Sequence, residues 1–246
     1  MVDNTIASPF LIRPFEHGAD IVVHSSTKFL SGHGAAISGT IVDGGTFDWA
    51  AADRSYPLIT QSSTGLPSIA EKFGPTAYAR ATREAVVNDI GPALSPFNSF
   101  LLHQGIETLS LRMERHLASS LTIAGWLEGH PAIESVDYAG LPGNRAFDLA
   151  QRLYGGRSGS VFSFTVRGGE AGAGRFLDRL RVISHMTNIG DTRSMALHPA
   201  TSTHASFSQE LRDRLGIADG LIRISVGIED VGDLIADLDH ALSAAG

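Results

Sequence analysis

Apolar and polar positions along the chain alternate with two different periods, and the shorter period marks five segments. Runs rich in β-branched residues and bounded by glycine predict strands, because such residues pack well on a pleated surface. These runs cover residues 21–26, 35–43, 133–138, 160–166 and 221–227. In the last run, LIRISVG, Ile222, Ile224 and Val226 share one face. Arg223 and Ser225 share the other, so this strand is expected to bury one side and hold an arginine on its polar side.

Other segments place apolar residues three or four positions apart, and this spacing predicts helices. The shorter ones are expected over 69–90 (interrupted at Gly74-Pro75), 145–153, 170–181, 208–215 and 231–244. The longest pattern covers 94–128, where an apolar stripe is formed by Ile106, Leu109, Met113 and Leu117. Gly129 and Pro131 follow this pattern, and they are typical of the end of a helix.

The order of these elements predicts an α/β fold with two unequal parts joined by the long helix. Residues 1–104 are expected to form part of a larger domain, with helices around a mixed, mostly parallel sheet. Residues 105–246 are expected to form a smaller α+β domain. The opening stretch VDNTIASPF looks like the end of a strand that runs directly into a loop. The chain is therefore expected to begin inside a domain.

The composition of the chain limits the kinds of molecule that it is expected to bind. The formal net charge is −7 over 246 residues, which argues against a nucleic acid or an anionic membrane as partner but leaves room for a small anionic ligand. The absence of cysteine excludes disulfides, thiolate metal sites and a cysteine nucleophile, and it fits a cytoplasmic protein. No apolar run has the length of a transmembrane helix, and the first residues lack the pattern of a secretory signal.

Lys28 is the first candidate for chemistry. The chain has only two lysines, and this one follows a predicted buried strand in VVHSSTKFLSGHG. A desolvated lysine has a lowered pKa and can then form a Schiff base with an aldehyde. Ser25 and Thr27 beside it could donate to a phosphate. These groups suit pyridoxal phosphate (PLP), whereas the alternative is a surface lysine in a Gly/Ser loop.

Three further residues could complete such a site. Asp3 could pair with a pyridinium nitrogen, although Asp3-Asn4-Thr5 could equally form an Asx turn or a cap. Arg223 could bind a carboxylate in bidentate fashion or make a structural salt bridge. Asn188 could help to bind that carboxylate or serve as a turn residue.

Metal and serine-hydrolase chemistry have less support in the sequence. The ten histidines are scattered, no HExxH pair occurs, and no tight cluster of carboxylates accompanies them, so no metal site is predicted. A Ser-His-Asp triad cannot be judged by counting residues, but no G-x-S-x-G elbow is present.

Several blocks resemble one enzyme family. VDNTIASPFLIRPFEHGADIVVHSSTKFLSGHG is similar to the lysine region of the Cys/Met-metabolism PLP enzymes, the transsulfuration group of fold type I. LSPFNSFLLHQGIETLSLRMERH resembles the long helix of the O-acetylhomoserine sulfhydrylase branch. Further similar blocks are FGPTAYARA, SHMTNIGDTRS, LHPATSTH and LIRISVGIEDVGDLIADL. They follow one another in the family's order over nearly the whole chain.

The resemblance implies roles for the residues named above. Lys28 matches the Schiff-base lysine, which also transfers protons, and Asp3 matches the partner of the pyridine nitrogen. Ser25 and Thr27 match contacts to the cofactor phosphate. Arg223 matches the arginine that holds the substrate carboxylate, and Asn188 matches its helper.

The implied reaction is replacement at the γ-carbon of an amino acid. O-Acetyl-L-homoserine and sulfide or a thiol would give homocysteine or methionine and release acetate. A methionine γ-lyase or a cystathionine-processing enzyme is the alternative within the family. The resemblance also implies a homo-oligomer, a dimer or a tetramer, for the full-length form.

The family's N-terminal half has no counterpart in this sequence. That half supplies a glycine-containing phosphate loop, a tyrosine stacked on the cofactor and a segment that reaches the neighbouring subunit. The sequence therefore resembles the C-terminal portion of such an enzyme. Exposed strand edges, association and activity only with the missing half are expected, and the alternative is a non-catalytic remnant or interaction module.

Overall fold

Two β-sheets organise the chain in the computed structural model, which describes residues 1–52, 54–62 and 65–244. The first sheet has three strands in the order β1-β2-β3, with β1 at Val2–Asp3, β2 at Ile21–His24 and β3 at Thr40–Asp43. β1 runs parallel to β2, and β3 runs antiparallel to it. The sheet is mixed, as predicted, but it has one parallel and one antiparallel pairing and is therefore not mostly parallel.

Both predicted strands of this sheet are shorter than the sequence pattern suggested. β2 ends at His24 because the next residues form a series of turns instead of a ladder. β3 begins only at Thr40, whose hydroxyl oxygen lies 2.7 Å from that of Ser26. The residues between His24 and Thr40 therefore form a loop that connects β2 and β3.

The second sheet has five strands and forms the centre of the C-terminal part. Its strands are β4 (Ile133–Asp137), β5 (Val161–Val166), β6 (Ser184–His185), β7 (Met195–Leu197) and β8 (Leu221–Ser225). They lie in the order β4-β5-β8-β7-β6, and only the β6–β7 pair is parallel. The predicted strands near 133, 160 and 221 are confirmed, whereas β6 and β7 were missed. Ile222, Ile224 and Val226 are fully buried, as the alternation in LIRISVG predicted.

Helices surround the sheets. The short ones in the N-terminal part are α1 (Ser8–Leu11), α2 (Pro57–Thr60), α3 (Ile69–Phe73) and α4 (Ala77–Thr82). The central pair is α5 (Pro96–Glu107) and α6 (Leu109–Glu128). The C-terminal part has α7 (Phe147–Tyr154), α8 (Gly169–Arg179), α9 (Gln209–Arg214) and α10 (Val231–Leu242). Among the described residues, no helix combines the length and the apolar character needed to cross a membrane.

The single long helix predicted over 94–128 is two helices in the structure. The backbone leaves helical geometry at Thr108, where φ is −104° and ψ is 5°. The Thr108 hydroxyl donates to the Gly105 carbonyl at 3.2 Å and accepts from Arg112 Nε at 3.1 Å. A hydroxyl that bonds to nearby backbone groups competes with the helix ladder, so a break occurs here. Of the long helix that was predicted to join the two parts, α6 is the portion that runs unbroken, from Leu109 to Glu128.

Candidate active site

The lysine loop, residues 25–34, follows β2 and turns back on itself. The Lys28 N–H donates to the Ser25 carbonyl at 3.1 Å, and the Gly32 N–H donates to the Lys28 carbonyl at 2.8 Å. Gly32 has a φ of 74°, a left-handed conformation that favours glycine. The sequence SSTKFLSGHG thus forms a tight loop that holds Lys28 at the end of a buried strand.

The Lys28 side chain is half-buried and has a defined partner. Its Nζ donates to Asn188 Oδ1, which lies 160 residues further along the chain. Burial lowers the pKa of the Lys28 amine below its usual value, and the nearby Arg223 guanidinium lowers this pKa further. The amine is therefore neutral in a larger fraction of molecules than an exposed lysine, and a neutral amine is a nucleophile and a base.

Arg223 lies on β8, half-buried, close enough to Lys28 to affect its charge. Its Nη2 donates to the Thr187 carbonyl at 2.8 Å, next to Asn188. Burial also lowers the pKa of Arg223 below its usual value. Within residues 1–52, 54–62 and 65–244 it forms no ion pair, so the alternative of a structural salt bridge is not realised.

Asp3 lies at the end of β1, beside β2. Its Oδ1 accepts the Thr5 N–H at 2.9 Å, so the Asx turn predicted as one alternative is present. The hydrogen bonds from Thr5 hold the pKa of the Asp3 carboxyl below its usual value, and His24 adds to this effect. Asp3 is consequently a carboxylate at neutral pH.

A cavity of about 910 Å³ lies against the end of β1. Asp3, Thr5 and Ser25 line it, and so does Ile189, which is next to Asn188 in the sequence. Thr5 connects the two strands, because its Oγ1 accepts the Ser25 N–H at 2.7 Å. Lys28 and Arg223 are not among the described residues that line this cavity.

Thr27 points to a different neighbour. Its hydroxyl donates to the Ser38 carbonyl at 3.1 Å and accepts the Ser38 N–H at 2.9 Å. The structure thus brings Lys28, Asn188 and Arg223 into one cluster and places Asp3 and Ser25 on the adjoining cavity. The Thr27 hydroxyl is bonded to the backbone of Ser38, between the lysine loop and β3.

Two buried charged residues near the lysine loop were missed by the sequence analysis. Asp191 is buried and pairs with Arg193 at 3.1 Å. Burial alone would raise the pKa of Asp191, but the bonds and charge of Arg193 outweigh it, so the pKa lies below the usual value. Arg112 donates to backbone carbonyls of the lysine loop. In the sequence, a sign that Arg112 is buried was its position directly before Met113, which belongs to the apolar stripe of a helix.

Metal ligation has no structural basis in the part of the chain that the structure describes. No group of three or more histidine, cysteine, aspartate or glutamate side chains there could hold a metal ion.

Comparison with known proteins assigns the chain to a family. The sequence profile of the Cys/Met metabolism PLP-dependent enzymes matches residues 1–243. The chain is 43% identical over 246 residues to O-acetyl-L-homoserine sulfhydrylase 1 of Thermus thermophilus, covering 99% of the chain and 58% of that protein. It is 41% identical over 251 residues to the O-acetyl-L-homoserine sulfhydrylase of Leptospira meyeri, covering 98% and 57%.

A solved structure shows the same fold. The crystal structure of an O-acetylhomoserine (thiol)-lyase from Campylobacter jejuni, described with an N'-pyridoxyl-lysine-5'-monophosphate, matches with a TM-score of 0.91 and 32% identity. The match covers 98% of this chain and 58% of that one. The chain thus spans somewhat less than two thirds of the proteins it matches, and the resemblance seen in its sequence is confirmed. It belongs to the Cys/Met metabolism PLP-dependent enzyme family, with the partial fold type I architecture that its sequence predicted.

Proposed function

We propose that this chain supplies the lysine-bearing part of a PLP-dependent transferase acting on O-acetyl-L-homoserine. Sulfide or a thiol would replace acetate at the γ-carbon and give homocysteine or methionine. The observation that carries the proposal is the half-buried Lys28 amine, which has a lowered pKa and donates to Asn188 beside Arg223. The names of the relatives support this reaction over other chemistry of the family.

Lys28 and the side chains on the cavity at the end of β1 fit pyridoxal phosphate by their chemistry. Lys28 offers an amine for the aldehyde, Asp3 offers an ionised carboxylate for the ring nitrogen, and Ser25 offers a hydroxyl for the phosphate. Thr27 could join them only by giving up its donation to the Ser38 carbonyl. When bound, pyridoxal phosphate supplies an electron sink that stabilises negative charge at the substrate's α-carbon.

Lys28 would also move protons. A lysine whose pKa is lowered by burial is neutral more often near pH 7, and its Nζ can then accept a proton and later return it. Asn188 Oδ1 orients this nitrogen, because it accepts one of its hydrogens. The pair therefore holds a base in a fixed position.

Arg223 would bind the substrate carboxylate. The guanidinium has five N–H donors in a planar fork, and the Thr187 carbonyl takes one of them. The adjacent Asn188 amide could donate to the same carboxylate. A carboxylate bound here would lie beside Lys28, and this arrangement would bring the substrate's α-carbon close to Nζ.

We further propose the wider organisation that the sequence suggested. Residues 1–104 would be part of the cofactor-binding domain and residues 105–246 the smaller domain, and their separate sheets support this division. Small-molecule substrates follow from the family. A dimer or tetramer, a cytoplasmic location, and the absence of nucleic-acid and membrane partners remain part of the proposal.

The proposal is tested by covalent trapping. The purified chain is mixed with pyridoxal phosphate, reduced with borohydride and digested, and the modified peptide is mapped. We expect label at Lys28, at least tenfold above the label at Lys72, and its loss in Lys28→Arg. Lys72→Arg is the matched control and should keep the label. Label absent, or shared equally between Lys28 and Lys72, would sink the proposal and favour the non-catalytic alternative.

A second assay separates the reactions within the family. The chain, alone and together with the part of a relative that lies outside the match, is supplied with pyridoxal phosphate. Separate reactions then receive sulfide with O-acetyl-L-homoserine, methionine, or cystathionine. Release of acetate supports the transferase. Release of ammonia and a keto acid from methionine or cystathionine would support the lyase alternative instead.

A further inference from the structure

The backbone carbonyls of the lysine loop show an unusual division of partners. Buried backbone carbonyls need a hydrogen-bond donor, so each one can be accounted for. The loop satisfies its first four carbonyls itself, through the pairs Lys28 N–Ser25 O, Ser31 N–Ser26 O, Ser31 Oγ–Thr27 O and Gly32 N–Lys28 O. The carbonyls of Phe29 and Leu30, directly after Lys28, accept from outside the loop, and so does the Gly32 carbonyl, which accepts the Thr192 N–H at 2.8 Å.

The donor to both the Phe29 and the Leu30 carbonyl is Arg112 on α6. Its Nη1 donates to the Phe29 carbonyl at 2.8 Å, and its Nη2 lies 3.3 Å from the Leu30 carbonyl. Nη2 also donates to the Gly105 carbonyl at 2.7 Å, and Nε donates to Thr108 Oγ1 at 3.1 Å. One planar guanidinium thus ties the lysine loop to the last turn of α5 and to the break before α6.

Charge pairing does not explain this arginine. Arg112 is only 5% exposed, and among the described residues it has no salt bridge to a carboxylate. Removing a charge from water without an opposite charge is unfavourable, and a methionine would fill similar space without that penalty. What a methionine cannot do is bond to several carbonyls in fixed directions, and a guanidinium fork can.

Two glycines show how closely the parts fit. A Cβ atom added to Gly32 would collide with the Arg112 guanidinium, and one added to Gly105 would collide with the Ser31 backbone. The loop, α5 and the arginine are therefore in direct contact, and the loop has little space in which to shift while Arg112 is in place.

We propose that Arg112 is a positioning residue, which fixes the Phe29–Leu30 backbone and thereby holds the neighbouring Lys28 amine at Asn188. The importance of that amine rests on the proposed function, whereas the hold on the loop does not. Loss of the guanidinium leaves two carbonyls without their donor, so the loop opens more often and Lys28 becomes more hydrated.

Hydrogen exchange of the whole chain, without cofactor, measures the hold directly. In Arg112→Met we expect the Ser31 and Gly32 amides to exchange at least tenfold faster, while amides of β5 and β8 are unchanged. Arg115→Met is the matched control, because it removes a half-exposed arginine from the same helix. Equal loop exchange in wild type and Arg112→Met would overturn the proposal.

The second readout is the pH dependence of Lys28 labelling by pyridoxal phosphate and borohydride. We expect the midpoint in Arg112→Met to lie at higher pH than in wild type, because a hydrated amine holds its proton more strongly. Arg115→Met should keep the wild-type midpoint. An unchanged midpoint in Arg112→Met would contradict the link from loop to amine.

Two further variants separate geometry from charge and from misfolding. Arg112→Lys keeps the charge but loses the fork, and we expect it to behave like Arg112→Met; wild-type behaviour would overturn the geometric role. Thr108→Val keeps the guanidinium but removes the acceptor of Nε, together with the hydroxyl's donation to the Gly105 carbonyl. It therefore tests the idea in a folded chain should Arg112→Met not fold. It should raise the hydrogen-exchange rate of the loop amides by a smaller factor, about threefold. An exchange rate equal to that of wild type would count against the proposal.

If wild type takes no label at Lys28, the proposed function fails, while hydrogen exchange still decides the role of Arg112.

Discussion

The two sheets differ in how far they bury their own apolar residues. The five-stranded sheet packs with α6, α8 and α10 around one continuous core, which includes Phe164, Ile224 and Leu238. In the N-terminal part the buried apolar residues form small separate clusters, such as Ile59 with Ala77 and Ala81. The C-terminal part can therefore be stable through its own packing.

The N-terminal part leaves large apolar side chains exposed. Ile41 on β3 is 52% exposed, and Phe97 on α5 is 66% exposed. Apolar surface of this kind commonly marks a site of association. The part carrying Lys28 therefore buries its apolar side chains less completely than the C-terminal part does.

A matched pair of isoleucines gives the largest expected effect. Ile224→Ala removes a fully buried side chain from the central strand β8 and should lower the free energy of unfolding by about 2–5 kcal/mol. Ile41→Ala removes a half-exposed side chain and should change it by less than about 0.5 kcal/mol. Urea unfolding followed by circular dichroism measures both. Equal losses would show that β3 is covered in solution.

Alkaline pH should weaken the C-terminal core through Tyr138. Burial raises the pKa of this phenol to about 12, and the ring packs against Phe162 at 5.0 Å between centroids. The unfolded phenol titrates near pH 10, so this contribution is complete below about pH 10 and is lost as pH rises towards 12. The expected loss is on the order of 2 kcal/mol. Unfolding curves from pH 9 to pH 12 should show it, and Tyr138→Phe should be flatter over the same range.

The helix caps offer a smaller contrast. Asp230 caps α10 by accepting the Gly232 and Asp233 N–H groups, and Ser68 caps α3 by accepting the Glu71 N–H. Asp230→Ala should lower global stability by about 1 kcal/mol, because α10 packs into the large core. Ser68→Ala should leave the global midpoint unchanged and speed hydrogen exchange within 69–73 only. A global loss for Ser68→Ala would mean that the two parts unfold together.

A surface ion pair gives the smallest effect. Arg80 Nε lies 2.6 Å from Glu84 Oε1 on the helix that continues from α4, and both side chains are more than a third exposed. Glu84→Gln should lower stability by about 0.3–0.5 kcal/mol at low salt and by less at high salt. A loss above 1 kcal/mol would show that this surface is more buried than the structure indicates.

Periodicity predicted the elements that are long enough to show a period. β4, β5, β8 and the helices near 147, 169 and 231 lie where the pattern placed them, within a few residues. β6 and β7 contain two and three residues. β6 is held by pairing with β7, and β7 is held by pairing with β8, further along the chain. No local pattern could have predicted them, because their stability is tertiary.

The candidate site was predictable only in part for a similar reason. Lys28 was noticeable because lysine is rare in the chain and follows a β-branched run. Its contact with Asn188 required the folded chain, although the family resemblance named both residues. Arg112 was missed, because a sequence does not show that a loop 82 residues earlier covers it.

The Lys28–Asn188 contact also sets an order for events on the ribosome. The two residues are 160 positions apart, and a ribosome adding about 5–20 residues per second needs about 8–32 s to make that span. Arg112 is synthesised roughly halfway through this interval, so the loop can be secured before Asn188 exists. During the remaining seconds Lys28 is on a nascent chain without its partner, and a cofactor that needs both residues can be bound only after Asn188 has left the exit tunnel.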